Sequence, residues 1–388
     1  MTLAHSTQIR LPRVHDGNPS FLLRGTPFPF SKYLRQLYFD NTGNNNGYIW
    51  DGYKHTGYLG ALIFGTTAAG LWAKHTLTDY LTSLDDPDRE KNEIVEAKFG
   101  ADIKTYADTK SEHIMAYVLE DAVYSGAILG EEGIVRRPSR KLVTVLDGID
   151  GTENAVKLVE GASSSWGPLA GMFEIVDNRI KAVAGAGYIP SLKRGFAGSI
   201  ENKIAIEFSV YDGDESCFFI RDPVVLQPFR QDRTSLFALM GIWQGAADEG
   251  IPDWANNLYK NLNAEKQQRA LHTSVSPSLY YNLFENYPSR FMTGASVSVS
   301  SPAMLHDIMW AIPMIEVLGG VVGNAQGILY HEKGFFPEYY VDQTGKRIET
   351  GGLKEASRSG MLPKVPIGPI IAAQNEELYR RTLDYMKK

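Results

Sequence analysis

The chain has 388 residues, of which 43% are hydrophobic, which is enough for two domains or one large two-lobed domain with a sizeable core. The formal net charge of -6 gives no support to a nucleic-acid partner, because such proteins need basic surfaces. The single cysteine, Cys217, excludes an internal disulfide framework and a cysteine-based zinc site, and it fits a reducing compartment.

The sequence contains no segment typical of secretion or of a membrane span. The first residues lack a continuous apolar run of signal-peptide length, so we expect a cytoplasmic protein. The most apolar run, residues 60–73, is too short to cross a bilayer and predicts a buried helix instead. We therefore expect no membrane partner.

The first part of the chain divides into an arm and two predicted helices. Residues 1–54 contain stretches rich in Pro, Gly and Asn, and we interpret them as an irregular N-terminal arm. Small and apolar residues then repeat at helical spacing from Tyr58 to about Leu84, which predicts a long helix. A second helix is predicted from about Ser111 to Ser125.

Strands are predicted after these helices. A short apolar run ends at Glu131, and residues 165–189 alternate as strands do, with a predicted hairpin at 176–179. The basic connector over 136–141 is predicted to be a solvated loop, with a second phosphate site as the alternative. Helices followed by strands predict α+β layering.

The later part of the chain alternates strands and helices. The predicted elements are strands over 204–211 and 217–226, helices around 234–243 and 251–262, a helix from about His306 to Gly319, a strand over 367–374 and a last helix over 375–386. Pro313 is expected to kink the helix that contains it or to force an irregular turn. The core, rather than a ligand contact, is the expected place of the aromatic residues Trp243, Trp254, Tyr280 and Tyr281.

The stretch 142–154 carries the most chemical information. Its β-branched run predicts a buried strand that delivers Asp147 and Asp150 to one rim. Thr152 is a natural N-cap, so backbone amides there could bind an anion. Carboxylates repel an anion unless a cation lies between them, which favours a hard metal ion and a phosphate. Taken alone, the segment is equally typical of a strand-to-helix turn with local caps.

Further acids stand at predicted strand ends or helix starts, namely Asp108, Glu131 and Asp307. Hydrolysis of a phosphate monoester needs such a cluster. Mg²⁺ held by oxygen ligands polarises the phosphate, makes water nucleophilic and neutralises the leaving alkoxide. The acids outside the central stretch therefore favour the catalytic interpretation over the local turn.

These motifs resemble those of the inositol monophosphatase superfamily of magnesium-dependent, lithium-sensitive phosphatases, which includes fructose-1,6-bisphosphatases and bisphosphate nucleotidases. Its central motif, D-P-[IL]-D-G-[TS], is matched at 147–152, and its G-E-E motif at 130–132. Its T-x-x-D motif is matched at 105–108, and its late W-D motif, followed by G-G, at 306–307 and 319–320. Four motifs in the right order make a specific resemblance.

The resemblance implies a ligand set for two metal ions. Glu131, Asp147 and the carbonyl of Ile149 would hold one ion, with Thr152 close by. Asp147, Asp150 and Asp307 would hold a second. The implied cofactor is Mg²⁺, as two or three ions, with Mn²⁺ as a possible substitute.

The resemblance also implies how water and phosphate are handled. Thr152, paired with Asp108, would orient and deprotonate the attacking water. The backbone amides of Gly151 and Thr152 would cradle the phosphate. Attack on phosphorus would be in line, without a covalent enzyme intermediate.

For the whole chain, the resemblance implies a layered αβαβα sandwich. An α+β half over 55–195 would carry most of the motifs, and an α/β half over 196–388 would contribute Asp307. The implied function is a Mg²⁺-dependent phosphatase acting on a small phosphorylated polyol, sugar or nucleotide. Lithium inhibition and a homodimer are implied as well.

The sequence departs from the family pattern at several positions. Gly148 replaces the usual proline, Glu153 stands where Thr or Ser is frequent, and His306 replaces tryptophan. His306 is expected either to contact the substrate or to pack or cap locally. The segment before Asp307 is short, so inositol specificity is not implied. The arm and the altered region around Asp307 motivate an alternative: a noncatalytic protein that binds a phosphorylated ligand or a protein partner.

Overall fold

The computed structural model describes only part of the chain. The described residues are 9–10, 58–82, 95–97, 103–121, 126–136, 141–157, 166–177, 179–212, 217–242, 252–264, 269–273, 280–281, 283–284, 295–301, 303–334, 340–341, 347–348 and 366–387. The predictions for the rest of the arm and for the connector over 137–140 lie outside these residues. The division of the chain at residue 195 stays a prediction.

Helices occur throughout the described part of the chain. They are α1 (Tyr58–Thr82), α2 (Tyr106–Asp121), α3 (Thr152–Lys157), α4 (Asp253–Ala264), α5 (Leu305–Ile308), α6 (Ile312–Val317), α7 (Tyr330–Lys333) and α8 (Glu376–Lys387). None of these helices combines the length and the hydrophobicity that a membrane span requires.

Two mixed sheets are formed by the described strands. The larger sheet has nine strands, in the order β1 (Ile9–Arg10), β11 (Cys217–Val225), β10 (Ile204–Asp212), β9 (Arg194–Ser199), β8 (Arg179–Ile189), β7 (Gly167–Val176), β6 (Leu142–Asp150), β4 (Ala127–Gly130) and β5 (Val135–Arg136). The smaller sheet has five strands, in the order β13 (Arg269–Thr273), β12 (Phe237–Ile242), β14 (Val297–Ser301), β20 (Ile370–Ala373) and β16 (Val321–Asn324).

Short strand pairs complete the described strands. These pairs are β2 (Val95–Ala97) with β3 (Ile103–Thr105), β15 (Ala303–Met304) with β19 (Pro366–Ile367), and β17 (Tyr340–Val341) with β18 (Arg347–Ile348). In the larger sheet β4 and β6 are parallel, whereas β6 to β11 pair antiparallel in sequence order.

The elements stack in five layers. Helices α1 and α2 cover one face of the larger sheet, and their apolar residues share a core with it. Helices α5 and α6 lie on its other face, in a core that also contains residues of the smaller sheet. Helices α4 and α8 cover the far side of the smaller sheet. The order α, β, α, β, α confirms the predicted layered sandwich.

Glycines allow the middle layer to lie directly on the larger sheet. The middle layer fills the space that a side chain would occupy at four glycines of the sheet, namely Gly171, Gly185, Gly187 and Gly198. A Cβ atom added to Gly185 would stand 2.1 Å from the carbonyl oxygen of Trp310 and 2.7 Å from its Cα. Such distances leave no room for any side chain, so the close approach requires glycine.

Most predicted elements are confirmed, but the prediction of a helix around 234–243 is wrong. Within that range the structure has β12, a central strand with parallel partners on both sides. A strand buried on both faces is a continuous apolar run, which does not differ in pattern from a buried helix. Helix α2 begins at Tyr106, five residues before the predicted start at Ser111. The helix predicted from His306 to Gly319 is interrupted between α5 and α6, and Pro313 lies in the first turn of α6.

We expect the substitution Gly185→Ala to destabilise the protein by about 1–3 kcal/mol, because its methyl group would collide with the backbone of Trp310. Gly65→Ala is the matched control. A Cβ atom there would meet its nearest neighbour at 3.5 Å, and alanine is favoured within helix α1. Urea unfolding would measure both changes, and equal midpoints for the two variants would contradict the close approach.

Burial raises the pKa of the Glu316 carboxyl to about 7. The unfolded chain has the ordinary, lower pKa, so the native state binds more protons between about pH 4.5 and 7, and stability falls as the pH rises through that window. We expect Glu316→Gln to be more stable than the wild type at pH 8, with the difference shrinking towards pH 5. Urea midpoints across this range would measure it. Glu332→Gln, at an exposed position of α7, is the matched control.

Candidate active site

Asp147 and Asp150 stand at the end of β6, where a bulge sets the direction of their side chains. The pairing with β7 shifts between these two residues, so that two residues of β6 face one residue of β7. In a regular strand, residues three apart point to opposite faces. The extra residue restores a common direction, and both carboxylates face the middle layer. The strand continues through Gly148 to Asp150.

Two groups of ligand-type side chains share Asp147. The groups are Glu131, Asp147 and His306, and Asp147, Asp150 and Asp307, each with its ligand atoms within 4.8 Å of one another. Glu131 follows β4, and His306 and Asp307 lie on α5. The four acids predicted as metal ligands, Glu131, Asp147, Asp150 and Asp307, thus lie together at one end of β6. The second group offers only carboxylates, a donor set that fits Mg²⁺.

Thr152 and Asp108 form the buried pair that the sequence suggested. The Thr152 hydroxyl donates to Oδ1 of Asp108 at 2.7 Å and lies 3.0 Å from the carbonyl oxygen of Ile149. The amide of Ile149 in turn donates to Oδ1 of Asp147 at 3.0 Å. These bonds link the predicted water-activating pair to the predicted metal ligands. Gly151, which lies between Asp150 and Thr152 in the chain, has a φ of 85°, a conformation that favours glycine.

The departure at Gly148 has a structural reason. A Cβ atom at this position would stand 2.0 Å from the carbonyl oxygen of Asp108 and 2.8 Å from its carbonyl carbon. The first turn of α2 therefore lies against the backbone of β6. This contact places Asp108 within reach of Thr152, and the proline of the family motif could not be accommodated in the same arrangement. The side chain of Glu153 lies outside the described part of the structure.

Glu112 is a buried acid that the sequence interpretation missed. Its Oε1 accepts a hydrogen bond from the amide of Glu132 at 2.8 Å, and a Cβ atom on Gly130 would stand 2.0 Å from its Oε2. Glu112 therefore fixes the turn that presents Glu131. A signal for it was available, because Glu112 lies one helical turn after Asp108 and so faces the same side of α2.

His306 and Tyr280 complete the surroundings of the carboxylates. His306 is 6% exposed, and its Nε2 lies 3.0 Å from Oδ1 of Asp307 and 3.5 Å from Oε2 of Glu131. Tyr280 is buried as predicted and packs edge-on against Trp310. Burial, with the negative charges of nearby Asp307 and Asp150, raises the pKa of the Tyr280 phenol well above its ordinary value. The phenol thus stays protonated beside the acids.

Comparisons with known proteins identify the fold. No protein-family model and no curated protein matches the sequence. The extragenic suppressor protein suhB from Bartonella henselae matches with a TM-score of 0.50 and 17% identity, over 83% of this chain and 96% of that chain. Fructose-1,6-bisphosphatase from Leishmania major in holo form matches with a TM-score of 0.54 and 11% identity, over 90% and 98%. These matches confirm the predicted fold type in a divergent sequence.

We expect Glu112→Ala to destabilise the protein by about 2 kcal/mol or more, because it removes the acceptor of the Glu132 amide and leaves a cavity. It should also weaken Mn²⁺ binding by roughly tenfold or more, since Glu131 loses its support. Glu112→Gln keeps the volume and an acceptor oxygen, so it should lose less of both. Urea unfolding and metal titration would measure these effects, and wild-type affinity in the alanine variant would contradict the supporting role.

Proposed function

We propose that this chain, a divergent protein with the fold of the inositol monophosphatase superfamily, is a metal-dependent phosphatase that hydrolyses a phosphate monoester of a small polyol, sugar or nucleotide. The observation that carries the proposal is the position of Asp147 in two groups of ligand-type side chains, beside the hydrogen-bonded pair of Thr152 and Asp108. A structural neighbour, the Leishmania major enzyme, is by name a phosphatase.

The proposed ligand sets follow the two groups. Glu131, Asp147 and the Ile149 carbonyl would hold one ion, because this carbonyl oxygen, 3.0 Å from the Thr152 hydroxyl, has two lone pairs and can face an ion. Asp147, Asp150 and Asp307 would hold the second. Bound Mg²⁺ or Mn²⁺ ions would polarise the phosphate, favour ionisation of water and neutralise the leaving oxygen.

The side chains of Thr152 and Asp108 would handle the proton. Oγ1 of Thr152 already donates to Oδ1 of Asp108, so this oxygen presents its lone pairs to an incoming water. As the water oxygen bonds to phosphorus and the ester bond to the leaving oxygen breaks, the water proton would pass to Oγ1, and the Thr152 proton to Asp108. The leaving alkoxide would take a proton from solvent water to become the alcohol. The amides of Gly151 and Thr152 would donate to the phosphate oxygens.

The acidic charge of the chain limits its partners. A net charge of -6 makes a phosphorylated substrate depend on the bound cations for attraction. The proposed partner is therefore a small phosphorylated metabolite, with no nucleic acid and no membrane. A cytoplasmic location, a homodimer and inhibition by lithium belong to the same proposal, and they rest on the sequence and its resemblance.

A phosphate-release screen tests the proposal directly. The full chain with Mg²⁺, and separately with Mn²⁺, would be assayed against inositol phosphates, sugar bisphosphates and 3'-phosphoadenosine 5'-phosphate. We expect release from at least one of these substrates. Absence of release from a chain whose cooperative unfolding shows it to be folded would overturn the proposal. Calorimetric binding of one of these ligands without turnover would favour the noncatalytic alternative.

Asp150→Asn keeps the shape of a proposed ligand and removes its charge, so we expect the rate of phosphate release to fall at least about a hundredfold. Asp177→Asn is the matched control. Asp177 is exposed in the hairpin between β7 and β8, and asparagine tolerates its positive φ of 51°. Its kcat should match that of the wild type, whereas a near-normal kcat for Asp150→Asn would refute the metal role.

A further inference from the structure

We infer that Nε2 of His306 is a ligand of the first metal ion, so that the group of Glu131, Asp147 and His306 prefers a first-row transition-metal ion such as Mn²⁺ to Mg²⁺. The inference rests on the proposed function, because it concerns the same metal site. The second group, which contains only carboxylates, keeps the preference for a hard ion.

The geometry of the imidazole is that of a ligand. His306 is buried, its Nε2 lies 3.5 Å from Oε2 of Glu131, and one of its ring nitrogens belongs to the first group, whose ligand atoms lie within 4.8 Å of one another. Ligands bound at about 2.1 Å to one ion stand about 3 Å apart when adjacent and about 4 Å apart when opposite. The 3.5 Å between Nε2 of His306 and Oε2 of Glu131 lies within this range for two ligands of a single ion.

The backbone of α5 divides its two polar side chains between the two groups. Asp307 is held by its own helix start, where its Oδ2 accepts a hydrogen bond from the amide of Met304 at 3.2 Å. His306 precedes it directly, and its Nε2 lies 3.0 Å from Oδ1 of Asp307 and 3.5 Å from Oε2 of Glu131. One short helix thus supplies a nitrogen to the first group and a carboxylate to the second.

The donor chemistry sets the preferred ion. The tryptophan of the family motif has an indole N–H that donates only, so it offers no lone pair to a metal. The imidazole of His306 offers one. A nitrogen ligand stabilises first-row transition-metal ions, whereas Mg²⁺ selects oxygen ligands and binds imidazole weakly. Replacing tryptophan by histidine at this position therefore changes which ion the first group holds most tightly.

In an alternative role, His306 binds no metal ion and only donates hydrogen bonds. A protonated Nε2 would donate hydrogen bonds to the carboxylates of Glu131 and Asp307, at the distances of 3.5 and 3.0 Å. In that role Nε2 carries a hydrogen, in the neutral tautomer or in the imidazolium, and has no lone pair to offer a cation. The two roles differ in a measurable way, because only a ligand nitrogen couples magnetically to a bound Mn²⁺ ion.

Pulsed electron paramagnetic resonance on the full chain loaded with Mn²⁺ tests the inference. We expect ¹⁴N modulation from a directly bound imidazole in the wild type. It should disappear in His306→Phe and persist in His331→Phe, a control at an exposed position of α7. His306→Gln, which can still form hydrogen bonds with the carboxylates, serves as the second variant and should also lose the modulation. Absence of modulation in the wild type, or its persistence in both His306 variants, would overturn the inference.

Titrations with each ion alone measure the preference. His306→Phe and His306→Gln should weaken Mn²⁺ binding roughly tenfold or more, with Mg²⁺ affinity changed by less than about threefold. Equal losses for both ions would overturn the preference. Neither readout requires turnover. A chain with the ¹⁴N signal but no phosphate release would refute only the proposed function, and a phosphatase without the signal would refute only this inference.

Discussion

The burial of Asp147 between two sets of ligand-type side chains is the constraint on which the site depends. Asp147 is 2% exposed and lies within 4.8 Å of carboxylate or imidazole atoms in both groups. Like charges at such distances repel strongly where water is excluded, so a cation or shared protons must compensate them. The bulge of β6, the closeness of α2 and the position of α5 all serve to hold the acids together.

The position of α5 is itself a product of packing in the middle layer. Trp310 and its neighbours lie on a surface of the larger sheet from which side chains are missing at Gly171, Gly185 and Gly198. The closeness of this contact fixes the height of α5 above the sheet, and with it the distance from Asp307 to Asp150. Residues with no polar chemistry of their own therefore set the geometry of the proposed ligands.

Much of the fold and site could be predicted from sequence, since a β-branched run identifies β6 and ordered motifs identify the acids. The strand β12 could not, because its uninterrupted apolar pattern also suits a buried helix. Glu112 was missed because an acid on a helix is ordinarily exposed, and only the missing side chain of Gly130 makes room for it. The contact of His306 with Glu131 joins elements far apart in the chain, which no local pattern encodes.

The contact between Gly185 and Trp310 also has a consequence for the order of events during folding. Strands β6 to β9 pair with neighbours in the sequence, so their sheet can form from local contacts, whereas the middle layer must close a long loop before it docks. We therefore expect the carboxylates of β6 to be in place before His306 and Asp307 dock against them. A cation held by all of them would bind only to the finished fold, and its binding energy would oppose the undocking of α5.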